Sequence, residues 1–144
     1  MTVANILKSK GTSKVHTIGP EATVQDASAR LSQHRIGSLV VSSDQSNALG
    51  ILSERDIVRE LGRRGSGCLS ETVAELMTKK LVTARPQDRV DDVLAKMTAG
   101  RFRHMPVVDD GGMIGLITLG DVVKFRLEEV KMEKDALEGM IMGH

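Results

Sequence analysis

The chain has 144 residues and a formal charge of +1, with 20 Lys and Arg against 19 Asp and Glu, so no polyelectrolyte field marks a nucleic acid as its partner. Two phenylalanines, no tyrosine and no tryptophan leave almost no platform for stacking single-stranded bases. The single cysteine, Cys68, excludes an intrachain disulfide and gives too few thiolates for a metal cage.

At 15.6 kDa a folded chain should expose roughly 7,000 Å² and hold one compact core or two small fused ones. Lys8 and Lys10 interrupt the N-terminal apolar stretch, so neither a secretion signal nor a membrane span is expected, and the expected location is the cytoplasm.

In chain order, Val3, Ala4, Ile6 and Leu7 predict a short helix over residues 1–8, which must lean on a neighbour because a lone helix of this length is marginal in water. Residues 11–14 read as a loop and Val15 to Ile18 as a brief extended segment closed by Gly19-Pro20. Thr23 is placed to cap a helix with Asp26 three residues on, and Val24, Ala27 and Leu31 form its apolar stripe. Ile36 to Val41 alternate as a strand, Asp44 to Asn47 turn, and a strand opening at Gly50 leads into a helix expected to stop at Leu61-Gly62.

The same succession then returns. Val73 to Met77 repeats the first helix at a displacement of 70, Leu81 to Pro86 repeats the extended segment at 66, and Val90, Val93, Leu94 and Met97 repeat the stripe behind Asp88 and Asp91. Phe102 to Val108 repeats the strand at 66, and a turn over Asp109 to Gly112, one residue tighter, brings the last strand to 65. Each half therefore reads helix, short strand, helix, strand, strand, helix, with the glycine-rich stretch Leu61 to Ser70 as linker, Cys68 within it, and units at 1–66 and 67–144. Units of this size are near the lower limit for independent stability, so a shared interface is expected. Past Asp121 a long helix runs to about Leu137, with Val123, Leu127, Val130, Leu137 and Ile141 on one stripe interrupted by Lys134. That stripe has no counterpart in the first half and points to contact with the domain surface or a second subunit.

The chemistry concentrates in Gly50-Ile51-Leu52-Ser53-Glu54-Arg55-Asp56 and its copy Gly115-Leu116-Ile117-Thr118-Leu119-Gly120-Asp121. Ser53 with Asp56, and Thr118 with Asp121, fit helix capping, which contributes about 1 kcal/mol per cap. The same spacing presents N–H groups and a hydroxyl to a phosphate, and a carboxylate one turn inward to ribose hydroxyls. Spacing does not separate the two roles. Metal binding fits poorly, since His16, His34, His104 and His144 lack motif spacing. Asp109-Asp110-Gly111-Gly112 makes a turn more readily than an acid and base pair.

The fragments AELMTKKLVTARPQDRVDDVLAKM, RFRHMPVVDDGGMIGLITLGDVV and HRIGSLVV with GILSERDIVRE resemble the two repeats of a CBS (cystathionine-beta-synthase-type) domain pair, or Bateman module, from about Val3 to Phe125. The resemblance implies an α/β (α+β) fold, tandem βαββα repeats packed sheet to sheet with pseudo-twofold symmetry, plus the extended C-terminal helix. It implies a stand-alone, non-catalytic sensor that takes AMP, ADP, ATP or a dinucleotide such as NAD in clefts between the repeats. Mg²⁺ is expected only if carried by nucleotide phosphates.

Carried over residue by residue, the resemblance gives Asp56 and Asp121 to ribose, with Ser53 and Thr118 near phosphate and Arg55 adding positive potential. Thr17, Ile18, Thr83 and Ala84 line the adenine and ribose end. Ile36, Gly37 and Ser38, and Arg103, His104 and Met105, stand at the strand entrance, where backbone groups read the base edge; the Arg103 guanidinium either pairs with phosphate or is solvated or held in a salt bridge within the sheet. A homodimer joined through helices of both repeats is implied, with an unidentified regulated protein as a further partner. A structural or adaptor homodimer with vestigial clefts is the alternative, and a small nucleotide-processing enzyme a more distant one.

Overall fold

The computed structural model describes residues 1–11 and 15–141; residues 12–14 of the expected loop lie outside them. Elements follow the doubled order, with α1 at Val3–Lys10, β1 at Thr17–Ile18, α2 at Val24–His34, β2 at Ser38–Val41, β3 at Gly50–Ser53 and α3 at Glu54–Arg64. A 3-10 turn at Ser66–Ser70 precedes α4 (Val73–Leu76), α5 (Val90–Gly100), β4 (His104–Asp109), β5 (Gly112–Thr118) and α6 (Leu119–Ile141). The first sheet runs β1-β2-β3, with β1 parallel and β3 antiparallel to β2; the second pairs β4 with β5 antiparallel.

Local chemistry accounts for these elements. The Thr23 hydroxyl accepts the Asp26 N–H at 3.1 Å and the Asp26 carboxylate accepts the Thr23 N–H at 3.4 Å, closing the start of α2, whose Val24, Ala27 and Leu31 are buried. In α5 the same buried stripe is Val90, Val93 and Met97, but Arg89 stands at the cap without a side-chain bond, because Asp88 instead accepts the Arg85 N–H at 2.9 Å. Both helices end on an arginine in the left-handed region, Arg35 at φ 53° and Arg101 at φ 55°.

Four expectations are corrected. The helix of the first half does not stop at Leu61-Gly62 but reaches Arg64, since Gly62 sits in open space, Glu60 pairs with Arg63 and Arg64 in the last turn, and Gly65 at φ 77° ends it. Cys68 is no linker thiol: the 3-10 turn folds back and leaves it 2% exposed. The counterpart of β1 shrinks to a single parallel bridge between Ala84 and Val107, in which Ala84 N–H donates to Pro106 O and Val108 N–H donates to Ala84 O. That pattern makes no demand on the N–H that Pro106 lacks, which is how a proline is tolerated inside this strand. Finally, α6 runs on to Ile141.

The two cores exchange their leading helices. Val3 and Ile6 of α1 are buried with Ala84, Val93, Met97, Met105 and Ile117, whereas Val73 of α4 is buried with Ile18, Val24, Leu39 and Leu52. Backbone bonds repeat the exchange on both sides. Val3 and Ala4 donate to Asp88 O and Pro86 O, and Val73 and Ala74 donate to Ala22 O and Pro20 O. Ile51 and Thr78 exchange bonds at 2.9 and 3.1 Å, and Met113 N–H reaches Ser46 O at 2.8 Å, so the hairpins are tied across the pseudo-twofold axis. Among the described residues every buried side-chain N or O atom has a partner.

Candidate functional site

Both hydroxyl-and-aspartate motifs form complete caps. Asp56 accepts the Ser53 N–H at 3.0 Å while Ser53 Oγ accepts the Asp56 N–H at 3.2 Å; in the second repeat the matching distances for Asp121 and Thr118 are 2.9 and 3.1 Å. Capping is therefore real at both positions, and what separates them is the far side of each carboxylate.

Asp56 is 8% exposed and its Oδ1 accepts from Arg59 Nη2 at 2.8 Å. The cation that meets it is thus Arg59, one turn along α3, while Arg55 points to solvent. Asp121 lies instead behind the lining of a cleft, where its Oδ2 accepts Lys10 Nζ at 2.8 Å. The same ammonium donates to Leu116 O at 2.8 Å on the free edge of β5. Burial works to raise the Asp121 carboxyl, but the Lys10 and Thr118 bonds outweigh it and hold the group below its ordinary value of 3.8.

The cleft has a volume of about 340 Å³ and is lined by Lys10, Val15, His16, Ile36, Gly37, Ser38, His104, Leu116 and Thr118. Both repeats contribute walls, and the size falls in the range of small-ligand sites, about 300–1,000 Å³. A larger concavity of about 480 Å³ lies between α2 and α3, but only the first repeat lines it. The smaller cleft has the motif hydroxyl of Thr118, the imidazoles of His16 and His104, and Lys10 bonded to Asp121, the chemistry for a polar ligand.

His104 occupies the seam between the halves, with Nε2 3.8 Å from where a Cβ on Gly37 would stand. Burial pushes its imidazole below the usual value, against the upward pull of Glu54 and, more weakly, of Asp56 and Asp121. It is neutral at pH 7 and so offers one N–H and one acceptor nitrogen.

Of the residues singled out from sequence, Ile36, Gly37, Ser38, His104 and Thr118 meet at the cleft, and Asp121 joins them through Lys10. Ser53 and Asp56 close α3. Thr17 is half-buried in β1, where its carbonyl accepts Arg30 Nη1 at 2.7 Å. Ile18, Ala84 and Met105 put their side chains into the cores, with the Ile18 carbonyl held by Ser42 N–H and both Ala84 backbone groups engaged in strand pairing. Thr83 and Arg103 are exposed, although the Arg103 carbonyl accepts the Leu119 N–H at 2.8 Å and so fixes the start of α6.

Sequence reasoning missed Lys10, Val15, His16 and Leu116. Lys10 and Asp121 are 111 positions apart, and only the exchange of α1 into the second core joins them. His16 is the one whose type gave a signal, and it stacks its ring on His34 at a centroid distance of 4.5 Å. Among the described residues no group of three His, Cys, Asp or Glu is placed to hold a metal, and no helix is long and apolar enough to cross a membrane.

Comparison with known proteins covers nearly the whole chain. The CBS domain family matches residues 3–63 and 73–128. The mitochondrial CBS domain-containing protein CBSX3 of Arabidopsis thaliana is 36% identical over 149 aligned positions, spanning 99% of this chain and 72% of that one. The CBS-domain containing protein ATU1752 of Agrobacterium tumefaciens superposes with a TM-score of 0.82 at 38% identity over 88% of this chain and 99% of its own. Two solved relatives hold ligands. CBSX2 in complex with AMP has a TM-score of 0.71 at 28% identity, covering 88% and 96% of the two chains. The CBS domain pair of MJ0100 in complex with 5'-methylthioadenosine and S-adenosyl-L-methionine has a TM-score of 0.76 at 25% identity, covering 90% and 98%.

Proposed function

This chain belongs to the CBS-domain family, and from that premise we propose that it is a regulatory module that senses an adenosine-containing ligand in the cleft beside Asp121. The observation that carries this reading is the shared cleft of about 340 Å³, walled by both repeats, with Thr118 at its edge and Lys10 joined to the motif carboxylate. Ribose hydroxyls donate to Asp121, whose Oδ1 accepts no bond among the described residues. The start of α6 and the Lys10 ammonium meet an anionic 5' substituent. The base lies along Ile36 to Ser38, where an apolar side chain, a bare glycine and backbone groups suit a flat ring, with His104 as a neutral partner. The two ligand-bound relatives share an adenosine core and differ at the 5' position, which supports the nucleoside as the common recognition element.

Regulation follows from the walls. A ligand touching β2 and β5 together favours the arrangement of repeats that presents both, and shifts the population only by its unequal affinity for the alternatives. Asp56 differs because Arg59 already engages its outer oxygen, so the first motif is read as structural. The test is calorimetric titration of AMP, ATP, NAD, S-adenosylmethionine and adenosine into the full chain, with Asp121→Ala and Asp56→Ala compared. Asp121→Ala should weaken binding at least about tenfold, the loss of one or two hydrogen bonds to a charged group, and Asp56→Ala by less than about threefold. Absence of heat or protection with every ligand at millimolar concentration would sink the reading, as would the reverse order of the two variants.

A further inference from the structure

The chain exposes 9,094 Å², against roughly 7,000 Å² for a compact monomer of this mass. Among the described residues, seven of the twelve exposed large hydrophobic side chains are on α6. Val122 enters the core, and Leu119 and Phe125 pack against it, but Val123, Leu127, Val130, Leu137 and Ile141 are 40% to 85% exposed. With Lys134 they recur at alternating steps of four and three residues, the spacing of a coiled-coil seam and not of a helix laid on a broad core.

Charges beside the seam say what covers it. Lys124, Lys131 and Glu138 border it on one side, and Arg126, Glu133 and Met140 on the other. In a parallel pair of α6 helices Arg126 would meet Lys131 of the partner subunit and Glu133 would meet Glu138 of the partner subunit, all like charges. In an antiparallel pair Lys124 and Lys131 both flank the partner's Glu138, and Arg126 reaches the partner's Glu133. Only Lys131 and Glu133 face their own copies, close to the two-fold axis. The antiparallel register sets Val123 against the partner's Ile141 and Leu127 against the partner's Leu137. Lys134 falls opposite the partner's Val130, where its long stem covers the valine while the ammonium reaches water, as it already does toward Glu138 at 3.9 Å.

We infer that α6 is a homodimerisation element, joining two copies of this chain as an antiparallel two-stranded coil over Val123 to Ile141, about 27 Å of helix. The occupant is a second α6 because its own charges complement it only in that direction. This gives the expected subunit contact an address that is independent of the ligand cleft, so it stands whether or not a nucleotide binds.

Sedimentation equilibrium of the full chain near 0.15 M salt tests it, with far-UV circular dichroism confirming that each variant keeps its helix content. Leu127→Asp with Leu137→Asp should raise the dimer dissociation constant at least about 100-fold, because both seam anchors become charges. Glu138→Lys should raise it about tenfold in an antiparallel pair, and would lower it in a parallel one. Adding Lys124→Glu and Lys131→Glu to Glu138→Lys should restore the wild-type constant to within about threefold, since both cross-pairs made by position 138 are inverted together and the Arg126 pair is left as it was. A wild-type chain that is monomeric at about 100 μM overturns the inference, as does a dimer unmoved by the double Asp substitution or one tightened by Glu138→Lys.

Discussion

Replacing Lys10 by methionine keeps the apolar stem and removes the ammonium that bridges Leu116 O and Asp121 Oδ2, both at 2.8 Å. The two side chains are 27% and 25% exposed, so the bond is shielded but not desolvated. A charge-assisted hydrogen bond, discounted for that partial exposure, contributes about 1–2 kcal/mol, or a fall in Tm of about 3–7 °C for a chain of this length. The pH dependence has a definite sign. Lys10 helps to hold the Asp121 carboxyl below its ordinary 3.8, so its contribution is complete above that value and is lost as pH falls through the folded-state value. Urea melts of wild type and Lys10→Met should therefore differ most near pH 7, with the gap closing as pH falls below the ordinary carboxyl value of 3.8. An undiminished gap in acid would show that Lys10 acts through packing, and no gap at neutral pH would refute the bridge. In a double-mutant cycle with Asp121→Asn, a coupling below about 0.3 kcal/mol would do the same.

Three further outcomes follow from local geometry. A Cβ on Gly50 would stand 2.6 Å from Met77 Sδ and 2.8 Å from the Thr78 carbonyl, whereas on Gly115 it would meet only the tip of Leu7 at 2.8 Å. Chemical denaturation should thus show Gly50→Ala losing about 2–3 kcal/mol and Gly115→Ala less than half of that. Arg35 and Arg101 hold left-handed backbone at φ 53° and 55°, so Arg35→Gly and Arg101→Gly should each raise stability by about 0.5–1 kcal/mol and add when combined, as thermal melts would show. Cys68, 2% exposed, should react with a thiol reagent at least about 100-fold more slowly in the folded chain than in urea, the ratio tracking local opening.

The doubled order of elements was legible because duplication supplies two independent readings of each segment, and a displacement that drifts only at turns locates those turns. Capping was legible for the same reason at Thr23, Ser53 and Thr118, where residue type and spacing fix the bond. The cleft was legible by halves. Ile36 to Ser38 and His104 stand at equivalent places in their strands, so the internal repeat paired them, and resemblance gave them a role. Lys10 escaped because nothing in residues 3–10 says which core will receive that helix. Likewise, a glycine-rich stretch carries no mark that Cys68 returns to the core, and Arg35 and Arg101 show that a helix can end left-handed without the glycine a reader would seek. The difference between Asp56 and Asp121 was invisible for a related reason: the motifs match, and although Arg59 stands one turn along the same helix as Asp56, the cation that meets Asp121 comes from 111 positions away.

The exchanged leading helices bear on how the molecule is made. Val3 and Ile6 emerge from the ribosome long before Ala84, Val93, Met105 and Ile117, which build the cavity that receives them. The first helix must wait until the second repeat has been synthesised, and a chain severed at Gly65 yields two pieces that each carry the plug for the other's core. Made separately, both should remain loose and prone to proteolysis; mixed, they should reassemble into one particle.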